Sequence, residues 1–257
     1  AKHLKAKFPN IKIGGYAAIG FYAAVETEEY LATEDAIRPK YFLEFFHGFM
    51  KYIKAHGSPI DFFSWHSYEP FDFNFIQQAY AEKTLEAMGY GDIEIHLNEW
   101  NPGIHRRGML SDAAHIGSVM VAMQNASVDL LMYYDGSMES SYGGMFNPLT
   151  RTPFKAYYAF YGFGQLFGLG YQYPIEGAEY GRVTDTVYAL AAGNADASRR
   201  TVLLFNLGGE TTVTAPDGEW TLLVLDESHD LTPVGTVHGG EAVMVPAEGG
   251  AMLMSQA

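Results

Sequence analysis

Four strand-like apolar runs, each followed by a helical segment, constrain this sequence more than any other feature. Strands are predicted at residues 11–18, 61–68, 93–101 and 128–134, and helices at 39–56, 73–88, 111–124 and 153–167. Strands that alternate with helices are typical of a parallel sheet with helices packed outside it. Four such units amount to half of a closed (β/α)8 TIM barrel, which has eight.

The pattern changes after residue 170, where short β-rich runs alternate with turns built from Gly, Asn, Asp and Pro. These runs cover residues 187–192, 201–207, 210–214, 220–225, 242–245 and 251–254. Short strands separated by such turns indicate a small antiparallel β-sandwich. We therefore predict an α/β plus all-β fold with two domains, a half (β/α)8 barrel at residues 1–170 and a β-sandwich at 171–257.

Charge and composition exclude several classes of function. The 257 residues include 16 Lys and Arg against 30 Asp and Glu, and the net charge of −14 argues against a nucleic-acid partner. No apolar run approaches the roughly 18 residues of a membrane span, and no glycine-rich nucleotide fingerprint is present. The absence of cysteine excludes disulfides, thiolate metal sites and cysteine nucleophiles. We expect a neutral ligand, with no cofactor, metal or membrane involved.

The third predicted strand, at residues 93–101, ends in a carboxylate. If Ile95, Leu97 and Glu99 share one face by the strand period of two, an apolar face terminates in an acid. The carboxyl end of a parallel strand is where α/β barrels hold their chemistry. Retaining glycoside hydrolysis needs such a carboxylate as nucleophile, and a second carboxyl about 5–5.5 Å away as the acid. The alternative is a structural glutamate that caps a loop or pairs with an arginine of the following loop.

Two residues at the end of the second strand, His66 and Tyr68, are expected to face one pocket because they are two positions apart. They are candidates for contacting the nucleophile or a sugar hydroxyl, and an aromatic face suits the C–H surface of a sugar ring. The alternative is a core histidine beside an ordinary β-sheet tyrosine. Trp65 has the opposite parity and is expected to pack against the helices. His96 is likewise expected to face away from Glu99, which argues against a metal site.

Further candidates for substrate binding lie beside these positions. Asn98 and Asn101 can donate hydrogen bonds that keep a carboxylate ionised, and we include Trp100 between them. Tyr134 and Asp135 end the fourth strand and begin a loop, which is a natural place for substrate contacts above a barrel strand. Asp135 is equally compatible with a simple turn, since Asp-Gly is a common turn pair.

The order of these motifs resembles the clan A glycoside hydrolases, and most closely the family of β-xylosidases and α-L-iduronidases, family 39. The matching segments are Lys12-Ile13-Gly14-Gly15, Phe62-Phe63-Ser64-Trp65-His66-Ser67-Tyr68, His96-Leu97-Asn98-Glu99-Trp100-Asn101, and Gly143-Gly144-Met145-Phe146 followed by Pro153-Phe154-Lys155-Ala156-Tyr157-Tyr158-Ala159-Phe160. The resemblance covers nearly the whole chain, as strands five to eight of that family's barrel and the sandwich that follows. It implies that Glu99 is the nucleophile on strand seven and that His66 and Tyr68 are the His-x-Tyr of strand six. The arabinofuranosidase family of the clan also has a Glu-Trp motif at its nucleophile.

The resemblance further implies an acid/base glutamate that follows an asparagine at the end of strand four, and the chain begins after that strand. Glu69, Asp72, Asp135 and Glu139 lie near predicted strand ends but lack this Asn-Glu context. We therefore predict the C-terminal part of a retaining glycoside hydrolase, nearly inactive alone, whose parent acts on O-glycosidic bonds of plant-type or other oligosaccharides and polysaccharides.

A half-barrel leaves apolar surface and strand edges that need cover. Residues 1–9 resemble the last turns of a helix, so the chain is expected to enter a βα repeat partway. We expect its partner to be an N-terminal half-barrel or a second copy of itself. The alternatives are a non-catalytic carbohydrate-binding protein and an assembly module built on a half-barrel.

Overall fold

The structure, a computed structural model, describes residues 1–138 and 144–255. The chain divides into two compact units. The first unit consists of Ala1–Asn101 and Ser127–Tyr134, and the second of Pro102–Ala126 and Asp135–Ala257. The division into domains at residue 170 stays a prediction.

The first unit contains a parallel sheet of three strands with helices beside it. Its strands are β1 (Phe62–Ser67), β2 (Glu94–Trp100) and β3 (Leu130–Tyr133), and its helices are α1 (Lys2–Lys7), α2 (Glu28–Leu31), α3 (Ile37–Ala55) and α4 (Phe71–Ala87), with 3₁₀ turns at Phe21–Val25 and Glu34–Ala36. The strands lie in the order β1-β2-β3. These three strands and both long helices lie where the sequence predicts them.

The predicted strand at residues 11–18 is not a regular strand. Its backbone meets β1 through two isolated parallel bridges, made by Gly14 and Ala18. Between them, Gly15 and Ala17 have positive φ angles of 124° and 61°, which interrupt the extended conformation. The segment therefore runs beside β1 without forming a fourth full strand.

One face of the parallel sheet packs against the helices through aromatic side chains. The ring centroid of Phe63 lies 4.7 Å from that of Phe46 in α3 and 5.5 Å from that of Phe21. Trp65 is fully buried and donates its indole N–H to Gln77 in α4 at 3.1 Å. Phe63 and Trp65 of β1 therefore both face the helices, as predicted for Trp65.

The second unit combines two longer helices with antiparallel sheets. Its helices are α5 (Leu110–Gln124) and α6 (Lys155–Phe167), with a 3₁₀ turn at Ile104–Arg106, and its strands are β4 (Tyr171–Tyr173), β5 (Val187–Gly193), β6 (Arg200–Asn206), β7 (Thr211–Thr214), β8 (Glu219–Leu225), β9 (Asp230–His238), β10 (Ala242–Val245) and β11 (Gly250–Ser255). One sheet has the order β4-β5-β6-β11-β8-β9, and β7 pairs with β10 in the other.

The sequence predicts six of these eight strands and misses β4 and β9, which are the edges of the larger sheet. β9 contains Pro233 and Gly235, residues that indicate a turn when read in sequence. An edge strand tolerates proline because one side of its backbone needs no partner. β4 has only three residues, too few to show an alternating pattern.

Both antiparallel sheets share one buried cluster. Trp220 in β8 is 1% exposed and donates its indole N–H to the Pro216 carbonyl at 2.8 Å. Val243 and Val245 of β10 are fully buried in the same cluster as Leu204 of β6. The predicted fold class is thus confirmed in its coarse form, a mixed chain with a helix-flanked parallel sheet and antiparallel sheets.

A glycine sets how closely α5 approaches the larger sheet. α5 is buried along most of its length, and a Cβ added at Gly117 would overlap the ring of Phe205 in β6, which is itself fully buried. Close-packed interiors do not absorb even one extra methyl without displacing a neighbour. Gly117 therefore allows helix and sheet to be in contact at this point.

We expect Gly117→Ala to lower the free energy of unfolding by about 1–3 kcal/mol, because the Phe205 ring must move. Gly164→Ala is the matched control. Gly164 also lies within a helix of the second unit, but an added Cβ there has nothing within 4 Å. Helix propensity should then raise the free energy of unfolding by about 0.5–1 kcal/mol. Urea denaturation followed by circular dichroism measures both values, and equal effects of the two substitutions would contradict the packing account.

Two titratable side chains of α5, Asp112 and His115, are buried at 2% and 6% exposure. Burial raises the pKa of Asp112 to about 7, although a hydrogen bond from the Gly108 backbone and two nearby arginines oppose the shift. Burial lowers the pKa of His115 to about 4, and nearby positive charge adds to the effect. In the folded state both groups therefore favour the neutral form.

These two shifts give stability contributions of opposite sign. The contribution of Asp112 is present below about pH 4 and is lost as the pH rises to about 7. The contribution of His115 is present above about pH 6.5 and is lost as the pH falls to about 4. Between about pH 4 and 6.5, the free energy of unfolding of Asp112→Asn should rise with pH relative to wild type, and that of His115→Gln should fall. Urea titrations across this range measure the slopes, and slopes of the same sign would contradict the assignment.

Candidate active site

The candidate site depends on a β-bulge near the end of β2. Trp65 pairs with Leu97, but the next residue of β1, His66, pairs with Glu99. Asn98 is the extra residue that has no counterpart on β1. A bulge of this kind bends the strand and re-aims the side chains that follow it.

The bulge places Glu99 on the face opposite to that of Leu97. Paired residues of neighbouring strands point to the same face, so Leu97 shares the helix-facing side with Trp65, and Glu99 shares the other side with His66. The expectation that Ile95, Leu97 and Glu99 share one face is therefore wrong, because regular alternation ends at the bulge. The sequence signal was the pair of consecutive polar residues that interrupts the apolar alternation.

Two residues from the end of β1 hold the carboxylate of Glu99. The Tyr68 hydroxyl donates a hydrogen bond to Glu99 Oε1, and Nδ1 of His66 lies 3.5 Å from the same oxygen. The Glu99 side chain is 27% exposed and that of His66 is 17% exposed. The three residues are thus together, and the carboxylate is oriented without being sealed off from solvent.

Within residues 1–138 and 144–255, no lysine or arginine forms an ion pair with the carboxylate of Glu99. Among the residues that the structure describes, the ion-pair partner of Glu99 is His66, which is charged only when protonated. This differs from the expected alternative of a structural pair with arginine. A half-buried carboxylate with one oxygen hydrogen-bonded keeps its other oxygen available to react as a nucleophile or a base.

Trp100, at the end of β2, belongs to the packed interior. It is 2% exposed, and its ring meets that of Tyr133 edge to face at 5.4 Å. Within the described part of the chain, the indole Nε1 of Trp100 and Oδ1 of Asn98 are buried without a hydrogen-bond partner. The contacts of Trp100 and Asn98 with substrate stay predictions.

Asn101 connects the ends of β2 and β3. Its side-chain amide donates to the carbonyl of Tyr134 at 2.5 Å, and the Tyr134 backbone N–H donates to the Trp100 carbonyl at 2.9 Å. Asn101 is 3% exposed, whereas Tyr134 is 36% exposed. The sequence indicated Asn101 as a donor to the carboxylate, but its hydrogen bond to the Tyr134 carbonyl instead fixes the backbone that carries Tyr134.

Asp135 belongs to the second unit and closes a local turn. Its Oδ1 accepts a hydrogen bond from the backbone N–H of Ser137 at 2.9 Å, which is the turn geometry that an aspartate favours. A contact between Asp135 and a sugar stays a prediction. Glu139 and Gly143, from the loop that follows, lie outside the described residues.

The remaining carboxylates near the strand ends differ in their surroundings. Glu69 directly follows Tyr68, and burial together with the charge of Glu26 raises its pKa. Asp72 lies in the first turn of α4, where the helix dipole favours its negative charge. Neither observation identifies Glu69 or Asp72 as the acid of a retaining pair.

His96 forms its own contacts away from the Glu99 carboxylate. It hydrogen-bonds Glu94 at 3.0 Å and stacks on Phe62 with ring centroids 4.3 Å apart. His96 pairs with Ser64, so it lies on the same face of the sheet as His66 and Glu99. The expectation that His96 faces away from Glu99 is therefore wrong, because the bulge at Asn98 breaks the alternation between them. In the described residues there is no group of three or more acidic or histidine side chains arranged to hold a metal ion. No helix there is long and apolar enough to cross a membrane.

Comparison with solved structures bears on the fold that carries this site. A glucosidase from Croceicoccus marinus matches with a TM-score of 0.71 at 19% identity, over 100% of this chain and 63% of that one. A GH39 β-xylosidase from Caulobacter crescentus matches with a TM-score of 0.65 at 15% identity, over 100% of this chain and 60% of that one. An α-L-arabinofuranosidase from Thermotoga maritima matches with a TM-score of 0.59 at 14% identity, over 100% of this chain and 60% of that one.

The chain therefore shares its fold with these three glycosidase structures. The resemblance predicted from the motifs is thereby confirmed for the fold. The chain spans only 60–63% of the length of these three structures. No protein-family model and no curated protein matches the sequence.

Removing the bulge tests how Glu99 is oriented. We expect insertion of one alanine between Trp65 and His66 to lower the free energy of unfolding by about 3 kcal/mol or more. The inserted residue would pair with Asn98, so regular alternation would turn Glu99 toward the apolar helix side. Asn98→Ala keeps the chain length and should cost less than about 1 kcal/mol, since its buried oxygen has no partner to lose. Urea denaturation measures both.

A second substitution identifies the cause of the loss. The insertion combined with Glu99→Leu should recover part of the lost stability, because leucine tolerates the apolar face. If Glu99→Leu gives no recovery on the insertion background, the proposed change of face is wrong.

Proposed function

We propose that this chain is the C-terminal part of a retaining glycoside hydrolase and that Glu99 is its nucleophile. The observation that carries the proposal is a partly exposed carboxylate at the carboxyl end of a parallel strand, hydrogen-bonded by Tyr68 and flanked by His66. The structural neighbours named above are a glucosidase, a β-xylosidase and an α-L-arabinofuranosidase, and the shared fold supports this class of reaction.

In this proposal residues 1–170 are the C-terminal half of a (β/α)8 barrel and residues 171–257 are a β-sandwich. The three parallel strands, with the irregular segment beside β1, supply the strands of the half-barrel. The buried cluster common to both antiparallel sheets supports the sandwich. Barrel enzymes carry their catalytic groups at the carboxyl ends of the strands, where Glu99 also lies.

The proposed reaction proceeds through a covalent intermediate. Tyr68 and His66 hold Oε1 of Glu99, so Oε2 attacks the anomeric carbon as the bond to the leaving oxygen breaks. A carboxylic acid gives its proton to that oxygen. Water, deprotonated by the same group, then attacks the anomeric carbon, breaks the ester to Glu99 and leaves the anomeric configuration unchanged.

The acid is assigned to a missing N-terminal segment, the half-barrel that is one of the two expected partners of this chain; the other is a second copy of the chain. Glu99 is the only glutamate in this sequence that follows an asparagine, so no other one matches the clan's acid/base pattern. Because general acid catalysis contributes about 10²–10⁴-fold, the chain alone is expected to be nearly inactive. Its 60–63% share of the neighbours' length is compatible with a missing portion.

The proposed substrate is an oligosaccharide or polysaccharide of plant type, with xylosidase-like chemistry. Aromatic and amide side chains suit the C–H faces and hydroxyls of neutral sugars. The residues assigned to substrate binding are His66, Tyr68, Asn98, Trp100, Tyr134 and Asp135. The proposed chemistry requires neither a cofactor nor a metal.

A second candidate is a non-catalytic carbohydrate-binding or assembly module built on a half-barrel. It is favoured by the lack of a second glutamate in an Asn-Glu context. It predicts saccharide binding or assembly without turnover, whatever partner is supplied.

Chemical rescue tests the nucleophile in the protein expressed with an N-terminal half-barrel. Glu99→Ala should lower the hydrolysis of 2,4-dinitrophenyl β-xyloside by about 10⁴-fold or more, since loss of a nucleophile in other hydrolases reaches about 10⁶-fold. Added azide should restore release of the phenol and give the α-xylosyl azide, because azide takes the place of Glu99. The measurements are phenol release and the anomeric configuration of the product by NMR.

Glu94→Ala is the control, since Glu94 lies on the same strand but pairs with Lys12 and His96. It should retain wild-type turnover. Full activity in Glu99→Ala, or a β-configured azide product, would remove Glu99 from the nucleophile role. Saccharide binding by a complex that never turns over would favour the second candidate.

A further inference from the structure

The second unit contains an uncharged groove between α6 and β4, which we call the α6–β4 groove. Its volume is about 330 Å³, within the roughly 300–1,000 Å³ of small-molecule sites. Phe163 and Phe167 of α6 line it together with Tyr171 of β4, and the buried Leu190 contributes from β5. None of these residues lies in the site around Glu99.

The aromatic side of the groove is unusually open to solvent. Phe167 is 82% exposed and Tyr171 is 57% exposed. Phe163 and Phe167 are four positions apart, so they lie on one face of α6. Large exposed apolar side chains that are grouped around a concavity indicate a binding surface, whereas single scattered ones do not.

The polar side of the groove is a fixed relay of side-chain amides. Gln124 donates to Gln172 at 3.1 Å, Gln172 donates to Asn125 at 2.8 Å, and Asn125 donates to the backbone carbonyl of Val121 at 2.8 Å. Each primary amide has two N–H donors, so both glutamines keep one N–H for a ligand. The relay orders these groups before any ligand binds, which lowers the entropic cost of binding.

The composition of the groove selects an uncharged, hydroxyl-rich ligand. The chain carries a net charge of −14, yet no lining residue of the groove is charged. Aromatic faces pack on the C–H surface of a sugar ring, and oriented amides bond its hydroxyls. We propose that the α6–β4 groove is a second saccharide-binding site, separate from the site of Glu99. The choice of a saccharide rests on the proposed function.

Another protein surface is the competing occupant of such a groove. An interface between copies would bury Phe167 and Tyr171 but would gain nothing from a prearranged row of amides at the rim. Saccharide binding requires both halves of the groove, the rings and the amides. Substitutions in the rings and in the amides therefore distinguish a saccharide from a protein surface as the occupant of the groove.

The test is titration of the 257-residue chain with xylohexaose and with cellohexaose, followed by isothermal calorimetry and protein NMR. Wild type should bind at least one of them. Tyr171→Ala and Gln172→Ala should each weaken binding by about three- to tenfold, the effect of one ring contact or one hydrogen bond. The double variant Phe167→Ala/Tyr171→Ala should lose binding.

Tyr52→Ala is the matched control, because Tyr52 is 62% exposed but lies in the first unit. Tyr52→Ala should bind like wild type. The affected side chains are largely exposed, so melting temperatures should stay within a few degrees of wild type and show that the variants fold.

Two outcomes would overturn the proposal. One is the absence of groove binding, seen either as no binding by wild type at millimolar saccharide or as equal binding by wild type and the double variant. The other is a dimer in light scattering that Phe167→Ala disperses, which would make the groove a contact between copies. Azide rescue at Glu99 is independent of both results, so failure of the groove leaves the nucleophile assignment intact, and the reverse also holds.

Discussion

One extra residue in β2 decides where the carboxylate of Glu99 points. A strand alternates its side chains with a period of two, but a bulge of one extra residue interrupts the alternation, so the residues beyond it point to the face opposite to the one that the period predicts. Here the insertion falls at Asn98, between the apolar part of the strand and its polar end. The same strand can thereby bury Leu97 among the helices and present Glu99 beside His66.

The surroundings of Glu99 show how a short sheet can orient a carboxylate with few contacts. Tyr68 and His66 reach the same carboxylate oxygen from the end of the neighbouring strand. Asn101 fixes the following backbone by bonding to the Tyr134 carbonyl. Side chains that a parallel sheet already holds in place lose little conformational entropy when they bond to a ligand.

The sequence predicted much of the fold because its signals are local. Apolar periodicity located β1, β2, β3 and the longer helices, and turn residues located most antiparallel strands. The failures arose where pairing decides the conformation. Residues 11–18 have a strand-like composition but contain residues with positive φ angles. β9 was missed because Pro233 and Gly235 within it indicate a turn.

The site was predictable in its membership but not in its geometry. The two-residue spacing of His66 and Tyr68 placed them together, and the strand end marked Glu99. The bulge was not predicted, because a register shift is a property of two paired strands and no single strand sequence contains it. The bond from Asn101 to Tyr134 joins two strands as well and was missed for the same reason.

The division of the chain has a consequence for its synthesis on the ribosome. Neither unit is continuous, since the chain leaves the first unit after Asn101, returns at Ser127 and leaves again after Tyr134. β3 therefore emerges only after α5, a helix that belongs to the other unit. The parallel sheet that holds Glu99 cannot be completed by the nascent first hundred residues. Its third strand emerges only after α5, so the first unit cannot complete its sheet until part of the second unit has been synthesised.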